Sequence, residues 1–419
     1  MLNNLFTNMV TSITRQEGKK FLKLNEQPDI SHIEEPATVK NGATSLYIHI
    51  PFCRTLCPFC CFNRYLFDED KARRYFKDLK QELSLYAGYG FKFSDFYFGG
   101  GTPTVLMDEL TSLIDYLRAN FKVKQLSLET TPREINKETI KQLMDMGINR
   151  LSIGVQSFDD NVIKAMGRVQ CNSDESQQRI LMAQGKFDTL NIDFVFNFPG
   201  QSIEIFEKDL QTFKELGVDQ ATFYPLMPSP HKKDAMERKF SRVDNSRERS
   251  FYNIILKQLY DYGYKASTAW CFSRGDRMID EYIIDFDDYI GTGAGSVSIY
   301  RGNFFVNTFS VDKYHSIISS GRLPIIGWRA LSNHEQMYYY LLTKLFGIRF
   351  NKEGFTRRFG ADIDSKLFKE MLALKLFGII NENEDILVKR EGMYTVSSMM
   401  RDFFSSLNSL REVYIEQQY

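Results

Sequence analysis

Tyr47-Ile-His-Ile-Pro-Phe-Cys53-Arg-Thr-Leu-Cys57-Pro-Phe-Cys60 is the stretch on which the reading of the whole chain turns. Its first half is an apolar, strand-like run that includes His49. Its second half sets three cysteines at Cys-x3-Cys-x2-Cys spacing. Three thiolates so placed can hold three corners of an iron–sulfur cube. The fourth iron then has no protein ligand, an arrangement suited to binding and cleaving a small molecule. A structural zinc site is the alternative that spacing leaves open, although such sites show two ligand pairs and no second Cys or His pair lies nearby. A disulfide framework fits poorly: six cysteines in 419 residues, with no secretory leader, is the usage expected in a reducing cytosol.

Strand and helix signals alternate outward from this stretch. Leu46 to Ile50 reads as a strand, and Asp70 to Tyr86 sets Ala72, Tyr75, Phe76, Leu79 and Leu83 on one helical face. A strand at Asp95 to Phe98 runs into Gly99-Gly100-Gly101-Thr102-Pro103. A helix near Met107 to Asn120 and a strand at Gln125 to Glu129 follow. Next come a helix at Glu134 to Met146 stopped by Gly147, a strand at Arg150 to Val155, and helices at about 159–166 and 173–186. A strand at Leu190 to Phe196, a helix at Ser202 to Leu216 and a strand at Gln220 to Leu226 complete six units. The pattern predicts an α/β fold with parallel strands under helices, a partial (β/α)6 TIM-like barrel rather than a dinucleotide-binding sheet. Barrels carry their reactive groups at the C-terminal ends of the strands. Cys53, Gly99 to Gly101, Glu129, Gln156 and Asp193 all end or follow a predicted strand.

Three regions are expected. Residues 1–44 form an N-terminal extension with a short amphipathic helix at its start and an extended arm at Gln27 to Gly42. Residues 45–300 hold the barrel and its extension, with a helix to Tyr262, short strands near Lys265 to Thr268 and Tyr289 to Ile290, and Gly291-Thr-Gly-Ala-Gly-Ser296. Residues 301–419 form a smaller C-terminal α/β module. Its helices near 333–346 and 365–377, hairpin around Ile379 to Lys389 and last helix from Ser397 follow a winged-helix-like order. No basic recognition helix is present, so packing or substrate capping is the expected role. Lys plus Arg and Asp plus Glu both number 53, which gives no global field for nucleic acid or an anionic membrane. No apolar run approaches the ~20 residues of a transmembrane helix. A soluble, cytoplasmic monomer is expected. The 35 Phe and 22 Tyr suit a large core or a flat apolar ligand.

The motifs together resemble the radical S-adenosylmethionine (SAM) superfamily. More closely, they resemble the family of oxygen-independent coproporphyrinogen III oxidase, the haem chaperone and related SAM-radical methyltransferases. Besides the cysteines, the resemblance rests on Phe98-Gly-Gly-Gly-Thr-Pro103, Leu128-Glu-Thr-Thr-Pro-Arg-Glu134, Asn149-Arg-Leu-Ser-Ile-Gly-Val-Gln-Ser-Phe158, Arg168, Ile192-Asp193 and Phe198-Pro-Gly-Gln-Ser202. It implies a [4Fe-4S] cluster on Cys53, Cys57 and Cys60, with SAM chelating the open iron and cleaved reductively to a 5′-deoxyadenosyl radical that abstracts hydrogen. It also implies contacts to one or two SAM molecules from Tyr47, Phe59, Gly100, Gly101, Thr102, Glu129, Gln156, Arg168 and Asp193. The glycines are expected to let the backbone approach the methionine moiety. A tetrapyrrole substrate and an electron donor such as flavodoxin or ferredoxin follow from the same resemblance.

Departures narrow the choice within the family. The oxidase carries a further cysteine two positions past the third ligand, where this chain has Phe62. The His-Asn-x-x-Tyr-Trp motif of the chaperones does not occur between Thr268 and Gly291. Phe62, Phe223-Tyr-Pro-Leu226 and Gly291 to Ser298 are similar to the radical methyltransferases of anaerobic haem degradation. Three readings result: an oxidoreductase of the oxidase type acting on a tetrapyrrole, a C-methyltransferase using two SAM molecules, and a non-catalytic haem-binding protein. Cys61 is expected to pack beside the cluster, and Cys171 and Cys271 to be ordinary thiols. His231, His315 and His334 give no ligand pattern.

Overall fold

Strand β1 (Thr44–Ile50) places Leu46, Ile48 and Ile50 on one side and Tyr47 and His49 on the other. The same two-residue period runs through β2 (Phe93–Gly100), β3 (Gln125–Thr130), β4 (Arg150–Gln156), β5 (Thr189–Phe196) and β6 (Gln220–Pro225). These strands lie side by side in chain order and are all parallel. The computed structural model describes residues 2–25, 44–228, 233–234, 237–238, 244–275, 287–383 and 385–416. The expected extended arm at Gln27 to Gly42 and His231 lie outside the described residues.

The outward set of each strand is apolar. Phe96, Phe98, Leu126, Leu128, Leu151, Ile153, Leu190, Ile192 and Phe223 join one core. Over them lie α2 (Glu69–Gly88), α3 (Met107–Asn120), α4 (Lys137–Asp145), α5 (Asp160–Ala165), α6 (Ser173–Ala183) and α7 (Ile203–Leu216). The inward set is polar. In register, Glu129 sits beside Ser152, Ser152 beside Asn191 and Asn191 beside Gln220; one layer higher, Gly154 neighbours Asp193 and Asp193 neighbours Thr222. A barrel packed only for stability fills its interior with branched apolar side chains. A polar lumen is kept for a ligand. Tyr47 on β1 and Tyr224 on β6 line the same cavity, so the six strands curl into the partial barrel expected.

Several expectations change in detail. The helix predicted from Glu134 starts at Lys137, because the Asn136 side chain accepts from the backbone N–H groups of Glu138 and Thr139 and fixes the start there. The residues ahead of it, Pro132–Glu134, form a 3-10 turn. The short N-terminal helix is a 19-residue α1 (Leu2–Lys20), held by Phe6 packing in the core and by polar contacts to the C-terminal region. The sheet is also larger than six strands. After α8 (Glu248–Asp261), short β7 (Lys265–Ala266) and β8 (Cys271–Ser273) extend the β6 edge. On the other edge β9 (Tyr289–Thr292) pairs parallel with β1. Antiparallel β10 (Val297–Tyr300), β11 (Asn303–Asn307) and β12 (Ile325–Ala330) carry the sheet past residue 300, to twelve strands among the described residues.

The C-terminal region begins with α9 (Val311–Ser319), which leads into β12, and continues through α10 (Asn333–Phe346), β13 (Arg349–Phe350) and α11 (Lys352–Phe359). The helix expected at 365–377 is two pieces, α12 (Ile363–Lys366) and α13 (Phe368–Leu376). The expected hairpin is β14 (Ile380–Glu382) with β15 (Ile386–Val388), joined by β13 in a three-stranded sheet. The helix expected from Ser397 starts earlier, as α14 (Met393–Leu407), and α15 (Ser409–Glu416) follows.

Candidate cofactor and substrate site

A cavity of about 340 Å³ opens at the C-terminal ends of the barrel strands. Cys53, Cys57 and Cys60 line it, and so do Tyr47, Phe59, Gly100, Gly101, Thr102, Glu129, Gln156, Arg168 and Asp193. Residues spread over 147 positions of sequence, from Tyr47 to Asp193, thus face one space. Cys61, Cys171 and Phe62 also reach it, whereas Cys271 is buried in β8 away from it.

The cysteine loop is shaped by contacts within the chain. A two-residue parallel pair, Phe52–Cys53 with Tyr65–Leu66, closes its base. Thr102 Oγ1 donates to Cys53 Sγ at 3.7 Å, and Arg64 Nη2 donates to the main-chain oxygens of Cys57 at 2.9 Å and Cys60 at 3.0 Å. Cys53, Cys57 and Cys60 carry no disulfide. Burial pushes the Cys53 thiol up to about 11 and raises that of Cys60, so loading a metal group here must expel protons. From above, Gly167 rests on the loop: with φ +77°, a Cβ there would lie 2.9 Å from Pro58 Cδ.

The triple glycine answers first to its own protein neighbours. A Cβ on Gly101 would lie 2.6 Å from the Phe52 carbonyl oxygen, and one on Gly100 would lie 2.6 Å from the His49 ring. These glycines let β2 press against β1 and the cysteine loop, a nearer reason than room for a ligand. His49 itself is a buried structural link. Its Nε2 donates to the Asn63 carbonyl at 2.9 Å, so Nδ1 accepts from Tyr47 Oη at 3.0 Å, and burial lowers its pKa to about 4.

Two carboxylates face the lumen. Glu129 accepts from Tyr97 Oη at 2.9 Å and from the Gly100 N–H at 3.3 Å. Burial first, and the neighbouring Asp193 second, push it up to about 7. Asp193 accepts from Ser152 Oγ and Asn191 Nδ2, both at 2.8 Å, and burial raises it too. Lower in the lumen, buried Arg150 donates to Gln220 at 2.9 Å and offsets part of both negative charges. Gln156 ends β4 with φ +76°, a conformation few residues other than glycine adopt. It sits at a register slip between β4 and β5, and its side chain has no hydrogen bond to any described residue. Arg168 donates to the Gly154 carbonyl oxygen while its Nε is buried without a partner. The lumen therefore offers an acidic side and a cationic side with unused donors, which fits a zwitterionic amino acid group.

Sequence reasoning missed the far wall. Tyr224, Leu226, Met227 and Trp270 line it with Phe404 and Asn408 from the C-terminal region. Trp270 packs between Tyr224 and Phe404, with ring centroids 5.7 and 6.0 Å away, and its Nε1 donates to Ser397 at 2.9 Å. Asn408 Nδ2 donates to the Met227 carbonyl at 3.1 Å. No local signal marks Phe404 or Asn408, which reach the site only through tertiary packing. Tyr97 and Tyr224 did carry one, the inward parity of their strands.

The donor set fits a cubane cluster. Three thiols within eight residues of sequence line one cavity, a donor set that suits three corners of a cube.

Comparison with known proteins agrees with this geometry. Residues 47–213 match the model of the Radical SAM superfamily. The chain is 30% identical over 319 residues to oxygen-independent coproporphyrinogen III oxidase of Escherichia coli (strain K12), covering 69% of this chain and 68% of that protein. It is 26% identical over 356 residues to the heme chaperone HemW of Bacillus subtilis (strain 168), covering 81% and 93%. The solved structure of coproporphyrinogen III oxidase (HemN) from Escherichia coli superposes with a TM-score of 0.79 at 22% identity, over 91% of this chain and 95% of that one, and so shares the fold. The chain belongs to the radical SAM superfamily, whose members use a [4Fe-4S] cluster and SAM, and within it to the family of oxygen-independent coproporphyrinogen III oxidase.

Proposed function

We propose that this protein is a radical SAM oxidoreductase acting on a tetrapyrrole. The observation that supports it best is the convergence of three cysteines, the lumen carboxylates and an aromatic wall on one cavity. Cys53, Cys57 and Cys60 would hold the [4Fe-4S] cluster, which when bound supplies the electron that cleaves SAM to a hydrogen-abstracting radical. Glu129 would accept from the ammonium of SAM and Arg168 donate to its carboxylate, with Gln156 and Asp193 fixing the remaining polar groups. Tyr224, Trp270 and Phe404 would bound a flat, apolar ligand and exclude water from the radical. The electron would come from a donor protein of the flavodoxin or ferredoxin kind. A cytoplasmic setting fits the cysteine usage; among the described residues no helix is long and apolar enough to cross a membrane.

The near full-length match to HemW supports a second reading, a haem-binding protein that keeps the cluster. One anaerobic experiment separates the readings. The reconstituted chain is incubated with SAM, dithionite and either coproporphyrinogen or haem. An oxidoreductase yields 5′-deoxyadenosine and, with a one-electron acceptor added to oxidise the substrate radical, a dehydrogenated product. A methyltransferase yields S-adenosylhomocysteine as well. Tight haem binding with neither product would overturn the catalytic reading.

A further inference from the structure

Arg64 is an arginine without a carboxylate. The other cavity arginines have acidic neighbours: Arg54 pairs with Glu134 at 3.2 Å, Arg133 lies 4.0 Å from the same carboxylate, and Arg168, which donates to the Gly154 carbonyl, shares the lumen with Asp193. Arg64 gives Nη2 to the carbonyl oxygens of Cys57 and Cys60, and its Nε is buried with no partner. No Asp or Glu among the described residues forms an ion pair with it. A half-buried charge without a counter-ion is costly, so a negative group is expected opposite it.

Arg64 lines the same cavity as Cys53, Cys57 and Cys60. Its position is fixed from behind by Asn63. The Asn63 side chain donates to the carbonyls of Ala294 and Phe309, both at 2.9 Å, and accepts from Arg411 Nε at 3.2 Å. A Cβ on Gly295 would lie 2.6 Å from Asn63 Cβ, so this anchor has no slack. The chain just past Cys60 is thus clamped, and Arg64 reaches back from it over the cysteine loop.

We propose that Arg64 is the built-in counter-ion of the cysteine-held cluster, a positioning residue that grips the loop through two carbonyls and whose charge favours the reduced state. The inference rests on the cluster reading above. Three thiolates outweigh the positive charge of an oxidised cube, and one electron from the external donor makes the assembly more negative still. A fixed cation beside it stabilises the reduced form more than the oxidised form and raises the potential. No bond forms at Arg64 and no proton moves.

The test is a redox titration of the anaerobically reconstituted full chain, followed by the electron paramagnetic resonance signal of the reduced cluster. Arg64→Gln keeps donors for the two carbonyls and removes the charge; Arg64→Lys keeps the charge. The expected result is a midpoint shifted to more negative potential in Arg64→Gln and close to that of the unsubstituted protein in Arg64→Lys. Cluster uptake by Arg64→Lys but not by Arg64→Gln would support the same role. An unchanged midpoint in Arg64→Gln would overturn it. So would loss of the cluster in both variants alike, since shape and not charge would then be the requirement. Failure of the unsubstituted chain to take up a cluster would instead contradict the reading on which this inference rests.

Discussion

Gln156 combines a left-handed backbone, near-complete burial and an unused amide in a cavity wall. A non-glycine residue held there costs about 1–2 kcal/mol, and such strain persists where the surroundings over-determine it. Gln156→Gly is therefore expected to leave the apo chain at least as stable in a thermal melt while weakening SAM binding about tenfold in calorimetry. Lowered stability with unchanged binding would make Gln156 a packing residue. Buried carboxylates give a second prediction at this scale. Burial pushes Glu82 up to about 7 from 4.5, although it accepts from the Gly293 N–H, Tyr314 and Asn307 at 2.8, 2.6 and 3.0 Å. Glu129 and Asp209 are likewise pushed up to about 7 by burial. A carboxyl raised on folding holds its proton where the unfolded chain has already lost it. Its stabilising contribution is complete below the unfolded value and declines as pH rises through about 7. Denaturant melts of the apo chain are expected to show lower stability at pH 8 than at pH 6. Glu82→Gln, far from the lumen, is expected to shrink that difference.

Elements were legible wherever a local signal fixed them. The six barrel strands and their helices followed from period and from breakers such as Gly147, at φ +65° after α4. What was missed was set by partners or by unusual turns. The β10–β11 hairpin turns through Arg301 at φ +50° and Gly302 at φ +73°, where an Asn or Asp in the first position would have announced it. Strand β12 has no signal of its own beyond pairing with β11. The glycine run was expected to admit the methionine moiety of a ligand; within the protein it admits the His49 ring at Gly100 and the backbone of Ile50 and Phe52 at Gly101. Gly101→Ala would drive a methyl into the carbonyls of Ile50 and Phe52, which cannot rotate away. A loss of about 2–3 kcal/mol is expected in chemical denaturation, together with impaired cluster uptake; a variant as stable as the parent would show that the β1–β2 contact is looser than described.

At the scale of the whole molecule, the ends of the chain complete what the barrel begins. Helix α1 lies against α14: Thr7 bonds Thr395 at 2.8 Å, Arg15 pairs with Asp402 at 2.8 Å, and Gly18 is small enough to let Ser406 approach. Arg401 links Asp402 to Glu248 on α8 inside the same interface. Arg401→Ala leaves Glu248 buried without its cation while Asp402 keeps Arg15, and about 3–5 kcal/mol of destabilisation is expected in denaturant titrations; a change under about 1 kcal/mol would contradict the burial of the Arg401–Glu248 pair. The barrel half of the cavity could be read from motifs, because each contributes a residue beside its own strand end. The wall made by Phe404 and Asn408 could not, because it exists only once α14 has docked. The central claim is that the three cysteines hold a cluster at which SAM is cleaved. It is tested most directly by incubating the anaerobically reconstituted chain and its Cys53→Ala variant with SAM and dithionite and measuring 5′-deoxyadenosine. The account predicts product from the unsubstituted chain and none from the variant, which should also lose the cluster absorbance. Equal product from both, or none from a chain that carries the cluster, would contradict it.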